Sequence, residues 1–431
     1  MTIKDTGQKI ALRRAFWALG AATRLEVKLG ALVRVEKARP DREEWTDVDV
    51  LAVHYSALTG LTMVIADCKT SRGRVAERLF WLRGVMDLIG ANQAFLVRDE
   101  NLSSAARQLA LRLGITALGS DDRAVLLAEV GGNGGDVPAS LTKEGIERQA
   151  LVLRSAPREL ERLTRYRDTG YWLSRGHRNL TTLPSFLSAS RDQLPAASPW
   201  TLPLVVDLAW LYLLACTRAL VDITTLHLAD PGEGLANAVV GDERERREKE
   251  FLAERLRRLF AVVPRESAAL PVVDVFPAYY GDLTDLMSRL LRRRGSIVGA
   301  LRALELAAVA SAQPKGTAVI HSPDEDAYSW KLASDAVRFL VRTCRLERTL
   351  QDQFDTLASE ATTNASRPTG DQTADAHPAK GDATSSEAGS DANATSAAST
   401  VGGTPPTQIS LFVDPSAHGR APGVNNDNDL G

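Results

Sequence analysis

Four residues in one short stretch carry the chemistry this sequence offers: Asp47 and Asp49 in TDVDVLAV, then Asp67 and Lys69 in VIADCKT. Acidic residues are depleted in β-strands, yet both segments otherwise read as strands, apolar and rich in β-branched residues. Side chains alternate along a strand, so Asp47 and Asp49 share one face, and Asp67 and Lys69 share one face of the next. The connection between them, YSALTG, has hairpin length. If the strands pair, two carboxylates and an ammonium converge at a strand end, a geometry able to hold a divalent cation through oxygen ligands. The plain alternative is a solvent-side hairpin end with a surface Asp67–Lys69 pair worth under about 1 kcal/mol. Against it stands the apolar run directly before Asp67, where an unpaired charge would be costly.

The elements that must hold these residues follow from periodicity. Residues 8–19 read as a helix, and 24–35, 46–55 and 61–70 as strands; a helix over 74–89, the strand QAFLV, a helix over 103–113 and the strand ITAL follow. The order αβββαβαβ predicts an α/β layered domain with helices covering a central sheet. The glycine-rich stretch GGNGGDVPAS, residues 131–140, reads as a linker. Behind it, segments such as ERREKEFLAERLRRLFAVV and WKLASDAVRFLVRTCRLERTLQDQF show apolar residues at three- and four-residue spacing, so 141–358 is expected to be a mostly α-helical domain. From Ser359 onward the composition is that of a disordered C-terminal tail, with nine acidic and three basic residues. The expected organisation is therefore 1–130, 131–140, 141–358 and 359–431.

Composition narrows the function classes. The 431 residues are 44% apolar and 25% charged, an ordinary soluble balance, and 52 basic against 54 acidic residues point to no partner by net charge. Three cysteines far apart, Cys68, Cys216 and Cys344, make neither a disulfide framework nor a cysteine zinc site. The N-terminal run is amphipathic instead of leader-like, and the apolar stretch 202–228 is interrupted by Asp207, Arg218 and Asp222, which reads as a buried core helix and not a membrane span. A cytoplasmic, nucleoid-associated protein with no membrane partner is expected. His54, His177, His227 and His321 lack metal-ligand spacing.

Asp49, followed eighteen residues later by Asp67-Cys68-Lys69 on the next strand, then an amphipathic helix and another apolar strand, resembles the PD-(D/E)xK nuclease superfamily, in particular its Mrr-like branch. The resemblance covers about residues 9–122 and implies a restriction-endonuclease-like N-terminal domain that hydrolyses DNA phosphodiesters. It implies that Asp49 and Asp67, with the backbone carbonyl of Cys68, bind Mg²⁺ or Mn²⁺ and that Lys69 orients the attacking water and stabilises the phosphate. Asp47 is a further candidate ligand. Arg72, Arg74 and Arg78, just past the motif, are candidate phosphate contacts. Cutting both strands would favour a homodimer.

One departure matters. Family members often carry a Glu on the first helix as an extra ligand, whereas residues 8–19 contain no acid, leaving Glu26, Glu36, Glu77 or Asp47 to take that place. A second reading therefore stands beside the first: a catalytically inactive nuclease fold acting as a DNA-binding adaptor.

Two features outside the strands bear on partners. In the tail, Gln408-Ile409-Ser410-Leu411-Phe412 resembles the pentapeptide with which bacterial replication and repair proteins dock on the DNA polymerase sliding clamp, with Ile for Leu at the second position. Leu411 and Phe412 would fill an apolar pocket and Gln408 would bond its rim. In the helical region, Arg289, Arg292, Arg293 and Arg294 lie close enough to track a nucleic-acid backbone, although a helix C-terminus explains the charges equally well.

Overall fold

A computed structural model describes residues 3–30, 44–56, 60–69, 74–133, 138, 141–174, 176–262, 274–314 and 326–365. Arg72, Glu36, His321 and the pentapeptide 408–412 lie outside the described residues. So do part of the 131–140 stretch and the whole tail beyond 365.

The elements follow the expected order. Helix α1 (Ile3–Ala18) precedes strands β1 (Ala22–Gly30), β2 (Glu44–Ser56) and β3 (Gly60–Lys69). Helix α2 (Val75–Ile89), strand β4 (Gln93–Arg98), helix α3 (Ser104–Arg112), strand β5 (Ile115–Leu118) and helix α4 (Ser120–Asn133) complete the α/β part. The five strands form one mixed sheet in sequential order. β1, β2 and β3 pair antiparallel, whereas β3, β4 and β5 run parallel because helices α2 and α3 carry the chain back across the sheet between them. Gly90 ends α2 in the left-handed region at φ 69°, which a glycine takes without a Cβ clash, and its amide closes onto the last turn.

β3 is the central strand, and its run Met63–Cys68 is buried throughout. Val50, Ala52, Val64, Ala66, Cys68 and Val97 pack with Leu12 and Phe16 of α1. Leu51, Val53, Met63, Ile65 and Leu96 belong to a larger core that runs without a break into the helical region.

Most of the chain from Lys143 to Ala365 is helical. Its longest helix, Thr201–Leu226, is long and apolar enough by length and composition to cross a membrane, yet 89% of its most apolar window is buried inside the fold. This helix touches β3, and the helix Ile297–Ala310 packs on β1 and β2. Two buried carboxylates fasten these helices to β1. Arg24 donates to Asp207 at 2.9 and 3.0 Å, and Arg167, carried on a π-helical turn over Tyr166–Gly170, donates to the same carboxylate. Glu305 accepts from Arg13 of α1 at 3.0 and 2.6 Å, from the Thr23 amide at 2.7 Å and from the Thr23 hydroxyl.

The sheet and the helices thus share one core within a compact unit, Met1–Thr369. Helices from after the glycine-rich stretch cover one apolar face of the sheet.

Candidate active site

Register brings the predicted acids together. Leu25 pairs with Val50 and Val27 with Val48, so Glu26 of β1 falls opposite Asp49 of β2. Carrying the β2–β3 register one step beyond Val50–Ala66 sets Asp49 opposite Asp67. Glu26, Asp49 and Asp67 therefore form one row across three strands, at the end of the sheet where β3 finishes.

Asp49 and Asp67 are each 1% exposed. The Cys68 amide donates to Asp49 Oδ2 at 2.6 Å. In extended backbone a residue's N–H and C=O point to the same side, so the Cys68 carbonyl also lies on the β2 side of its strand. Lys69 lies 3.7 Å from Asp67 Oδ1, with its side chain 30% exposed. Asp47 is half-buried and sits opposite Lys28, away from this row.

A residue that periodicity alone does not single out completes the row. Lys9 of α1 places Nζ 2.6 Å from Asp49 Oδ1 and also pairs with Glu26. Burial alone would lower the Lys9 ammonium, but hydrogen bonds and charge from Asp49 and Glu26 outweigh it and hold the group above its ordinary value. Asp49 is held above the usual carboxylate range, chiefly by burial, with Lys9 and the Cys68 amide opposing and Asp67 adding to the shift. Asp49 Oδ1 is buried against the Lys9 ammonium at 2.6 Å. Lys9 stands three and seven residues before Leu12 and Phe16 and so shares their side of α1, a spacing too common among helical lysines to mark it in the sequence.

The three candidate phosphate contacts separate. Arg78 grips Asp67 through Nε at 2.6 Å and through Nη2, with its guanidinium 3.4 Å from the centre of the Trp81 ring. Its charge is committed to the candidate ligand. Arg74 is exposed and pairs with Glu77 at 2.8 Å, which also takes Glu77 out of the site. Arg292 and Arg293 are exposed, and Arg293 stacks on Tyr328. Their neighbour Arg294 bonds Tyr55, six residues along β2 from Asp49 and so about 20 Å away. The arginine patch and the acidic row occupy opposite ends of one strand.

The donor set suits a hard cation. Among the described residues no group of three or more His, Cys, Asp or Glu side chains is placed to hold a metal ion. Two carboxylates and a carbonyl form a smaller set, which Mg²⁺ accepts when water and substrate phosphate supply the remaining ligands. Cys68, pushed up by burial and by the charges of Asp49 and Asp67, remains a thiol and packs against α1.

A cavity of about 1220 Å³ runs along the outer edge of β1, and Glu26 lines it together with Arg24, Lys28, Arg158, Arg165 and Asp168. Glu26 thereby joins the acidic row to an open groove beside the sheet. No family model, curated protein or solved structure matches this chain.

Proposed function

We propose that the chain is a divalent-metal-dependent DNA endonuclease whose active site is the row ending at Asp67 and Lys69. The observation that carries this reading is the facing pair Asp49 and Asp67, both almost fully buried at the open end of a strand pair. Burying carboxylates so close together opposes stability, and such arrangements cluster where chemistry needs them. The αβββαβ order around them is the order that the PD-(D/E)xK resemblance implies.

Bound at Asp49, Asp67 and the Cys68 carbonyl, Mg²⁺ or Mn²⁺ would supply Lewis-acid activation of the phosphate and a more acidic water. Lys69, half-buried on the face of Asp67, orients that water and meets the charge that develops on the phosphate. Arg78 holds Asp67 in place. The tail pentapeptide 408–412 would bring the enzyme to the sliding clamp, in repair or replication-associated processing.

Cleavage of labelled duplex, single-stranded, mismatched and branched DNA in Mg²⁺ or Mn²⁺ tests the reading, with Lys69→Ala as the comparison. Cleavage lost in that variant supports it. DNA binding without cleavage of any substrate supports the second reading, a catalytically inactive adaptor. The observation in its favour is that Lys9 and Arg78 already neutralise both carboxylates.

A further inference from the structure

Lys9 occupies an unusual position. Its side chain is 9% exposed and its ammonium lies between two carboxylates from neighbouring strands, Glu26 and Asp49. Glu26 meets it from a backbone at φ 54°, in the left-handed region that residues other than glycine rarely adopt. Strain of that kind persists where surrounding contacts enforce it. Asp49 offers Oδ2 to the Cys68 amide and Oδ1 to Lys9, 2.6 Å away. Two carboxylates from neighbouring strands bridged by one buried positive charge have the arrangement that a bound cation would give them.

We infer that the Lys9 ammonium is a built-in counter-cation, filling the space between Glu26 and Asp49 in which a second divalent ion would otherwise bind. The inference rests on the proposed metal site and deepens it: the protein supplies one of the two cations, so the row takes a single divalent ion, at Asp49 and Asp67. Lys9 is then a positioning residue. It holds Asp49 against its like-charged neighbour and makes one end of the row independent of metal concentration.

The test is Mn²⁺ stoichiometry in the full chain, read by calorimetry and by loss of the free-ion electron paramagnetic resonance signal. Lys9→Gln is expected to bind one more Mn²⁺ per chain than the wild type. Lys9→Arg, which keeps the charge, is expected to match the wild type. Adding Glu26→Gln to Lys9→Gln should remove the extra ion. Should Lys9→Gln unfold, Lys9→Met carries the same expectation, and circular dichroism identifies a folded variant.

Equal stoichiometry in the wild type and a folded charge-removing variant would overturn the inference, as would an extra ion in Lys9→Arg. The nuclease reading fails separately. If the wild type binds no Mn²⁺ that Asp67→Asn removes, the catalytic site is absent, while an ion gained only on removal of the Lys9 charge still supports the counter-cation.

Discussion

The Cys68 amide and Asp49 Oδ2 are joined by a 2.6 Å hydrogen bond. The peptide that follows Asp67 thereby aims the carboxylate facing it, so two acids eighteen residues apart in the chain are set by a single backbone link. A charge-assisted bond of this kind is among the stronger ones a protein makes. It fixes the candidate ligands before any substrate arrives.

Lys69→Ala should separate chemistry from stability. The side chain is 30% exposed and its ion pair with Asp67 is long at 3.7 Å, so melting temperature is expected to change little. DNA cleavage is expected to fall by about 10²–10³-fold, as when one donor to a developing oxyanion is removed. A matched fall in melting temperature would reassign the lysine to a structural role.

Asp207 makes the acid limb of the stability curve. Burial would raise its carboxyl, but Arg167 and Arg24 outweigh it and bring it down to about 2. A folded value below the unfolded one contributes stability that is present above the ordinary carboxylate value of 3.8 and is lost as pH falls through about 2. The linked contribution at neutral pH is about 2 kcal/mol. Denaturant unfolding at stepped pH should show the wild type losing this increment between about pH 4 and 2. Asp207→Asn should be less stable at pH 7 by about 3–5 kcal/mol, since two guanidiniums are left facing an amide, with the gap narrowing in acid.

Arg292→Ala combined with Arg293→Ala tests the patch at the far end of β2. If these exposed side chains track DNA, affinity should fall and the slope of log affinity against log salt should become shallower by roughly two, about 0.9 for each phosphate contact. Filter binding across a salt series reads this directly, and turnover on saturating substrate should stay as in the wild type.

The tail motif makes its own prediction. A labelled peptide spanning residues 404–414 should bind a purified bacterial sliding clamp with a Kd in the micromolar range, about 8 kcal/mol at 1 micromolar. The same peptide with Leu411→Ala and Phe412→Ala should not bind at roughly 100 micromolar.

Local pattern made the α/β half readable almost element by element, since alternation defines β2 and β3 and three- and four-residue spacing defines α2 and α3. It also marked Asp49, Asp67 and Lys69, because charge inside an apolar strand is conspicuous. Other parts of the site depend on contacts that no local pattern contains. Lys9 looks like one of several cations on α1 until β1 and β2 close beneath it. Glu26 was readable as an acid, but its left-handed backbone was not. Arg78 sits in the first turns of α2 as if free for phosphate, and only the fold turns it back onto Asp67.

The bond between Thr23 and Glu305 sets a timetable for synthesis. All five strands have been made once Leu118 is joined, yet the acid that receives the β1 amide and the Arg13 guanidinium comes about 190 residues later. At a ribosomal pace of roughly 5–20 residues per second, that acid follows the last strand by some 10–40 seconds. An uncovered strand edge invites pairing with other chains. A chain cut short before residue 305 lacks the acid that receives the β1 amide and the Arg13 guanidinium, and is expected to aggregate more readily than the full chain.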